Sequence, residues 1–595
     1  MKGAGDGLPL AARLEPGLNA PRLPRRGQVM DRRVALLSAL AMAVGLVAGV
    51  VAEGLIRLIA LVTNLAYRHQ LSTAAGGPGS RPLAWSMALV PVAGGILVGF
   101  MARYGSKAIR GHGIPEAMEQ VLVNDSRIPA RVTLLKPISS AIAIGTGGPF
   151  GAEGPIIATG GALGSLLGQF IPTSAQERKT LLAAGAAAGM AATFGAPVAA
   201  VLLAVELLLF ELRPRSVIPV ALACVAATSV HYSLHGIAPV FRMGALAAVT
   251  GPALAGYILV GAALGLASVA VTRAVYAVED AFERLPVHWM WWPALGGLAV
   301  GVIGHFAPRT LGVGYDNLEL MLNGRFALAA LAVLGLAKFL SWTIALGSGT
   351  SGGTLAPLFT MGGALGALLT AALQARFPAL GLDPRMGALV GMAAIFAGAA
   401  RSLLASAVFA FEITLQPISL LPLLGGCAAA YMVSAGLMRQ SIMTEKLARR
   451  GVRVPIEFQA DHLDRHLVKD HATRPVVTLA AAQTVAEARH WLRSQAPGTG
   501  HQGYPVLDRD QRPLGVVMGR ELLDPAHPPE RTLAELIRRP LAAVMETDSL
   551  REAADHMLRE GVGRLPVLSA EYRLAGILTR SDLLAGHREN PQRRA

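Results

Sequence analysis

Charge is scarce in this chain. Asp, Glu, Lys and Arg make up 15% of its 595 residues, against about 25% in an ordinary soluble domain. With a mean hydropathy of +0.48, this excludes a soluble globular protein and predicts one that crosses a membrane many times. Cysteine is nearly absent: Cys224 and Cys427 stand singly in apolar stretches, which excludes a disulfide framework and a thiolate metal cluster. Aromatics are 5% of the chain and no basic run carries them between its charges, so the net charge of +15 is not the footprint of a nucleic-acid binder. The apolar region holds no nucleophile paired with a base and no set of metal ligands, which sets an enzyme aside. A cleavable secretory signal is missing as well, because the first thirty residues are rich in Arg and Pro and lack an apolar core.

What is abundant is hydrophobic residue, 53% of the chain. Apolar stretches near the spanning length of about 20 residues are legible at 34–63, 82–102, 196–212, 215–234, 252–275, 293–307, 326–347 and 402–438. Shorter ones between them are interrupted by glycine. Arg13, Arg22, Arg25, Arg26, Arg32 and Arg33 precede the first stretch, and Arg439, Lys446, Arg449, Arg450 and Arg453 follow the last. The positive-inside rule then places both flanks in the cytoplasm and predicts an even number of crossings. After about residue 452 the composition turns to that of a soluble domain. The expected organisation is a cytoplasmic tail (1–30), a transmembrane domain (31–452), a linker (453–466) and two cytoplasmic modules (467–528 and 529–595).

Both regions repeat internally. GGALGSLLG at 160–168 returns as GGALGALLT at 362–370, and GMAATF at 189–194 as GMAAIF at 391–396, with one offset for both pairs, 362 − 160 = 391 − 189 = 202. The membrane region therefore reads as a tandem duplication. If each copy crosses an odd number of times, the second is inverted relative to the first, which puts a substrate site at the midplane between copies. In the soluble region GYPVLDRDQRPLGVVMGREL (503–522) parallels GRLPVLSAEYRLAGILTRSDL (563–583), and the helix-like TVAEARHWLR (484–493) parallels SLREAADHMLR (549–559). This predicts two small α/β modules.

Four segments interrupt the apolar stretches: GHGIPEAM (111–118), GAEGPIIA (151–158), GTLAPLFT (353–360) and SIMTEKL (441–447). Three of them place Pro soon after Gly and ahead of a helix-forming run, the pattern of a helix N-terminus. A helix that starts inside a bilayer leaves its first N–H groups unpaired and carries about half a positive charge there. Such backbone survives only where it lines a cavity or meets a ligand, so several converging N-termini predict a site for an anion, held without Lys or Arg. Glu153 is a lone carboxylate in the second segment, and an intramembrane carboxylate is a functional candidate by default.

These segments resemble the signature motifs of the CLC family of chloride channels and chloride/proton antiporters. In that family they read GSGIP, GREGP and GxFxP, followed by a tyrosine in an SIYTxKL-like segment. The resemblance spans about residues 31–452, with Lys136 flanking the first motifs, and the C-terminal modules resemble paired CBS domains. It implies an all-α polytopic membrane domain built from two inverted repeats with broken helices, plus a cytoplasmic α/β CBS pair. Glu153 takes the position of the gating glutamate, and the anion-binding positions fall on His112, Gly113, Ile114, Gly154, Thr354, Leu355 and Met443. His112 stands where the family has a coordinating serine and Met443 where it has the tyrosine, so two hydroxyls are lost. Ala152 replaces the arginine before the gate, and Leu355 the aromatic of GxFxP. His112 either donates to the anion or turns its ring into a wet vestibule.

The resemblance also places the proton-relay glutamate of known antiporters at Leu207, next to Glu206; Glu206 and Glu412, recurring in the two copies, read as structural. In the second CBS-like module Thr579 and Asp582 fit the G-h-x-T-x-x-D pattern for the phosphate and ribose of an adenine nucleotide, with helix capping by the Asp as the alternative. No cofactor is required. The implied partners are chloride or a similar monovalent anion, protons, the lipid bilayer and a second copy of the chain in a homodimer, in a multi-pass protein of the bacterial inner membrane. The leading expectation is gated anion transport coupled to proton antiport. A passive voltage- or pH-gated channel and a nucleotide-sensing membrane scaffold are the alternatives.

Overall fold

The computed structural model describes residues 23, 32–74, 76–78, 84–455, 463 and 466–588. Most of the N-terminal tail, including Arg13, Arg22, Arg25 and Arg26, and much of the expected linker lie outside the described residues. The chain divides into two compact units, 29–458 and a second made of 1–28 with 459–595.

The larger unit is helical throughout. Its first half contains α1 (Arg32–Arg68), α2 (Val90–Phe100), α3 (Ile114–Val123), α4 (Ala130–Gly145), α5 (Glu153–Phe170), α6 (Ala175–Phe194), α7 (Pro197–Ala204) and α8 (Pro214–His235). Its second half contains α9 (Gly251–Glu283), α10 (Trp292–Phe306), α11 (Tyr315–Leu322), α12 (Leu328–Gly347), α13 (Leu355–Arg376), α14 (Pro384–Ala400), α15 (Leu403–Thr414) and α16 (Leu420–Leu437), followed by the short α17 (Glu445–Arg449). Each helix of the first half has a counterpart eight places on, and their packing repeats as well: α5 lies on α6 as α13 lies on α14, and α1 on α8 as α9 on α16. The duplicated glycine motifs explain two of these contacts. A Cβ on Gly160 would lie 2.2 Å from the carbonyl oxygen of Gly185, and one on Gly362 would lie 2.4 Å from that of Gly391, so only small residues let these helices approach.

The two halves meet on equivalent residues. Gly151 and Gly353, 353 − 151 = 202 apart, form an antiparallel bridge in which Gly151 N–H donates to Gly353 O at 3.3 Å and Gly353 N–H donates to Gly151 O at 2.9 Å. A reciprocal pair of this kind between equivalent residues places a local two-fold axis between them, which is the inverted relation of the repeats.

Seven helices among the described residues are long and apolar enough to cross a membrane: Arg32–Arg68, Trp85–Gly105, Pro214–His235, Gly251–Glu283, Leu328–Gly347, Leu355–Arg376 and Pro417–Leu437. Two of the expected stretches are corrected, and a third is shorter than a full span. The stretch 402–438 is two helices, because α15 stops at Leu415, whose φ of 48° is left-handed, and Pro417 opens the next segment. The stretch 196–212 holds a short helix and a π-helical turn that ends at the left-handed Phe210, φ 51°. The stretch 293–307 coincides with the 15-residue α10. Hydropathy averages over such breaks, which backbone conformation makes.

The smaller unit holds two three-stranded sheets in the orders β1-β2-β3 and β4-β5-β6, built from Leu479–Ala480, Gly503–Leu507, Pro513–Met518, Val544–Met545, Arg564–Leu568 and Leu574–Thr579. In each the outer pairs are parallel then antiparallel, and the hairpins share a register: Gly503 faces Met518 as Arg564 faces Thr579, 564 − 503 = 579 − 518 = 61. The modules exchange their leading segments, a detail finer than the expected boundaries at 467 and 529. Leu463 and Val468 pack in the core of the second sheet with Val544 and Leu578, whereas Leu533 packs in that of the first with Val506 and Val517.

Candidate anion site

Three helix starts converge. At the first, Gly113 adopts a φ of +96°, open only to glycine at little strain, and donates its N–H to Glu116 Oε2 at 2.7 Å, capping α3. Lys446 of the α17 segment reaches Glu116 Oε1 at 3.2 Å, which ties the fourth motif to the first. At the second, Glu153 is the first residue of α5, and a Cβ on Gly154 would lie 2.0 Å from the His112 carbonyl oxygen. At the third, Thr354 and Leu355 begin α13 directly after the Gly151–Gly353 bridge. Gly111 bridges Ser351 in the same region, so the loops before all three helices are in backbone contact.

Two buried lysines hold this arrangement by their donors. Lys136 Nζ donates to the carbonyls of Ile109 and Gly111, each at 2.8 Å. Lys338, its equivalent at 338 − 136 = 202, donates to those of Thr310 and Gly312, each at 2.9 Å. Each ammonium fixes the loop that leads into a half-helix, α3 in one repeat and α11 in the other.

The Glu153 side chain is buried at 1% exposure. Its carboxylate lies against the Gly151–Gly353 bridge, with Oε2 3.0 Å from a Cβ built on Gly353, the residue directly ahead of the Thr354 N-cap of α13. Oε1 accepts a hydrogen bond from Tyr315 Oη at 2.7 Å, and Oε2, which would lie 1.7 Å from a Cβ on Gly151, has no hydrogen-bond partner. The charge therefore sits on the positive end of a helix, held by one side-chain donor, at the contact between repeats.

His112 is buried and its Nδ1 has no partner. The residue lines a polar cavity of about 530 Å³ together with Arg110, Glu116, Glu119, Tyr276, Glu279 and Lys446. Ile114, Leu355 and Met443 share one apolar core. Met443 is fully buried and its N–H donates to Ser441 Oγ at 3.2 Å; beside it Tyr276 Oη donates to the Ile442 carbonyl at 2.8 Å.

Glu206 lies elsewhere. Its carboxylate accepts from Ser402 Oγ, from Leu404 N–H at 2.9 Å and from Ala405 N–H at 3.2 Å, capping α15, while Glu412 accepts from Val198 N–H at 3.1 Å and Ala199 N–H at 2.7 Å, capping α7. This reciprocal capping matches the structural reading of the pair. Leu207 is buried. In the smaller unit Asp582 Oδ2 accepts from Thr579 N–H at 2.7 Å and Thr579 Oγ1 at 2.8 Å. The two candidate nucleotide residues are thus joined in a helix cap. The equivalent Glu521 caps Met518 N–H at 2.9 Å beside a cavity of about 470 Å³ lined by Arg493, His501 and Arg520.

Reading by motif missed Tyr315 and Lys338. The repeat carried a signal for Lys338, which is Lys136 plus 202, but none for Tyr315, whose equivalent 202 residues earlier is Gly113.

The sequence model of the family described as "Voltage gated chloride channel" matches residues 94–435. The chain belongs to this family. The CBS domain model matches residues 468–526 and 533–587. Among known members, the putative chloride channel protein ClcB-like of Ralstonia nicotianae is 30% identical over 369 residues, covering 61% of this chain and 86% of that one. The H(+)/Cl(-) exchange transporter ClcA of Salmonella agona is 29% identical over 452 residues, covering 72% and 92%. The crystal structure of a slow cyanobacterial Cl-/H+ antiporter superimposes with a TM-score of 0.62 at 26% identity, covering 70% of this chain and 97% of that one. Family membership accounts for the inverted halves of this chloride-channel fold and for its C-terminal CBS pair.

Proposed function

We propose that the protein carries chloride or a similar monovalent anion across the membrane, with Glu153 as its gate. The observation that carries this reading is the Glu153 carboxylate buried against the Gly151–Gly353 bridge, directly ahead of the start of α13, where the repeats meet. An anion bound to those N–H groups and the Glu153 carboxylate compete for the same donors. Protonation of Glu153 removes its charge and its claim on the helix end, and the path opens. Binding of the anion rests on backbone N–H groups of α3, α5 and α13, with His112 facing the vestibule, because Met443 supplies no hydroxyl. The absence of a basic side chain at the donors keeps binding weak enough for release.

Exchange against protons is the leading form of this transport, supported by the exchange transporters among the relatives. Passive gated conduction is the second reading, and a specific observation favours it: Leu207 cannot titrate and Glu206 is engaged as a cap. The CBS pair regulates transport, with an adenine nucleotide as the ligand class. A homodimer with one path per subunit follows from the family resemblance. Basic flanks and bacterial relatives support an inner-membrane protein with both termini in the cytoplasm.

Radioactive chloride flux into proteoliposomes, with external pH recorded, tests the reading. A chloride gradient drives protons uphill if the protein exchanges. Glu153→Ala abolishes the pH dependence of flux by removing the gate. Unchanged flux and unchanged pH dependence in that variant reject the transporter reading and leave the nucleotide-sensing scaffold.

A further inference from the structure

Tyr315 occupies a built position. It is the first residue of α11, entered through Gly314 at a φ of +79°. The loop ahead of it is fixed twice, by Lys338 Nζ on the Thr310 and Gly312 carbonyls and by Asn317, whose Nδ2 donates to the Arg309 carbonyl at 2.8 Å. Its ring is clamped edge-on by Phe194 and Phe241, each with centroids 5.7 Å away. The clamp comes from the end of α6 and from the connection between α8 and α9, so three elements aim one hydroxyl. That hydroxyl donates to Glu153 Oε1 at 2.7 Å.

A phenol held this way discriminates between the two forms of the gate. A hydrogen bond to a charged acceptor is about twice as strong as one to a neutral acceptor, so the hydroxyl favours the ionised carboxylate in its seat on α13. Lys338 on α12 is the charged group that acts on Glu153 from the neighbouring element, and its ammonium is engaged with carbonyls. From α11 the facing group is Tyr315, and ahead of α13 it is the backbone of Gly353, against which Oε2 lies. No other side chain makes a hydrogen bond to the carboxylate among the described residues.

We propose that Tyr315 is the latch of the gate: a positioning residue whose hydroxyl holds the ionised Glu153 carboxylate on the start of α13 and lets go once the carboxylate is protonated or displaced by an anion. It supplies, from the second repeat, a phenol at the gate in a chain whose fourth motif has lost its own to Met443. The inference rests on Glu153 being the gate.

The test is anion flux by the full-length protein in proteoliposomes over a series of pH values. Tyr315→Phe keeps the ring between Phe194 and Phe241 and removes only the hydroxyl. The pH of half-maximal flux is expected to move up by about one unit, the size of a lost hydrogen bond to a charged acceptor. Flux on the alkaline side rises accordingly. In the Glu153→Gln background the same substitution is expected to leave the profile where Glu153→Gln alone puts it, which a purely structural role of Tyr315 would not do. A Tyr315→Phe profile that superimposes on wild type, while Glu153→Ala has lost its pH dependence, overturns the latch and leaves the gate standing. An equal effect of Tyr315→Phe in both backgrounds overturns it too. If Glu153→Ala itself keeps the wild-type profile, the gate reading falls and takes the latch with it.

Discussion

Four buried or half-buried charged side chains of the membrane unit are matched to backbone rather than to opposite charge. Lys136 and Lys338 each satisfy two carbonyls, and Glu206 and Glu412 each satisfy the N–H groups of a helix start. In a medium without water an unpaired polar group is costly, so these side chains fasten broken backbone that would otherwise not persist. Lys338→Met leaves the carbonyls of Thr310 and Gly312 without their donor, at a cost of about 2–5 kcal/mol. A lowered unfolding midpoint in detergent, followed by loss of the monodisperse peak on heating, measures it. Lys136→Met is expected to have a similar effect, since its partners are equivalent. Glu153 differs from these four: its Oε2 has no partner and its Oε1 has only Tyr315. That incomplete satisfaction is what the proposed gating role of Glu153 draws on. The motif marked Glu153 and His112 as candidates, whereas the partner of Glu153 was not legible. Tyr315 lies 162 residues away in sequence, and no local pattern links the two.

At the scale of helices, the fold depends on close approach. α5 meets α6 and α13 meets α14 through glycines in which a Cβ would strike a backbone oxygen at 2.0–2.4 Å, at Gly164 and Gly160 in one pair and at Gly362 and Gly366 in the other. Gly160→Val and Gly362→Val are therefore expected to reduce the yield of folded protein to a comparable degree, through overpacking of about 1–3 kcal/mol or more each. Yield and unfolding midpoint after purification check this, and unequal effects would speak against equivalent roles in the two repeats. The duplicated motifs revealed the repeat in advance, and the structure adds that their glycines are the points of close approach. Helix breaks were less legible. α15 ends on the left-handed Leu415, and α7 runs into a π-helical turn at Val205–Leu209, yet both lie in apolar runs that hydropathy joins into single stretches. The reason is that the residues at these breaks, Leu415 and Phe210, are as apolar as their neighbours, so a change of backbone conformation leaves no mark in hydropathy.

At the scale of the molecule, the chain consists of two compact units with different chemistry. The membrane unit contains the whole set of converging helix starts, and the CBS unit contains its own two cores. Removing residues 459–595 is expected to leave gated anion flux in proteoliposomes while abolishing any response to adenine nucleotide. A nucleotide response that persists without them would place the regulatory site in the membrane unit. Sequence alone determined the class of protein, its duplication and the identity of the gate candidate, because scarcity of charge, motif recurrence at one offset and a lone carboxylate are properties of composition and order. Only the tertiary structure decided that equivalent glycines meet across a local two-fold, that Glu206 and Glu412 cap each other's helices, and that Tyr315 reaches Glu153. These are contacts between residues far apart in the chain, and what brings them together is the need of every broken helix end, buried away from water, to find a partner wherever the fold can supply one.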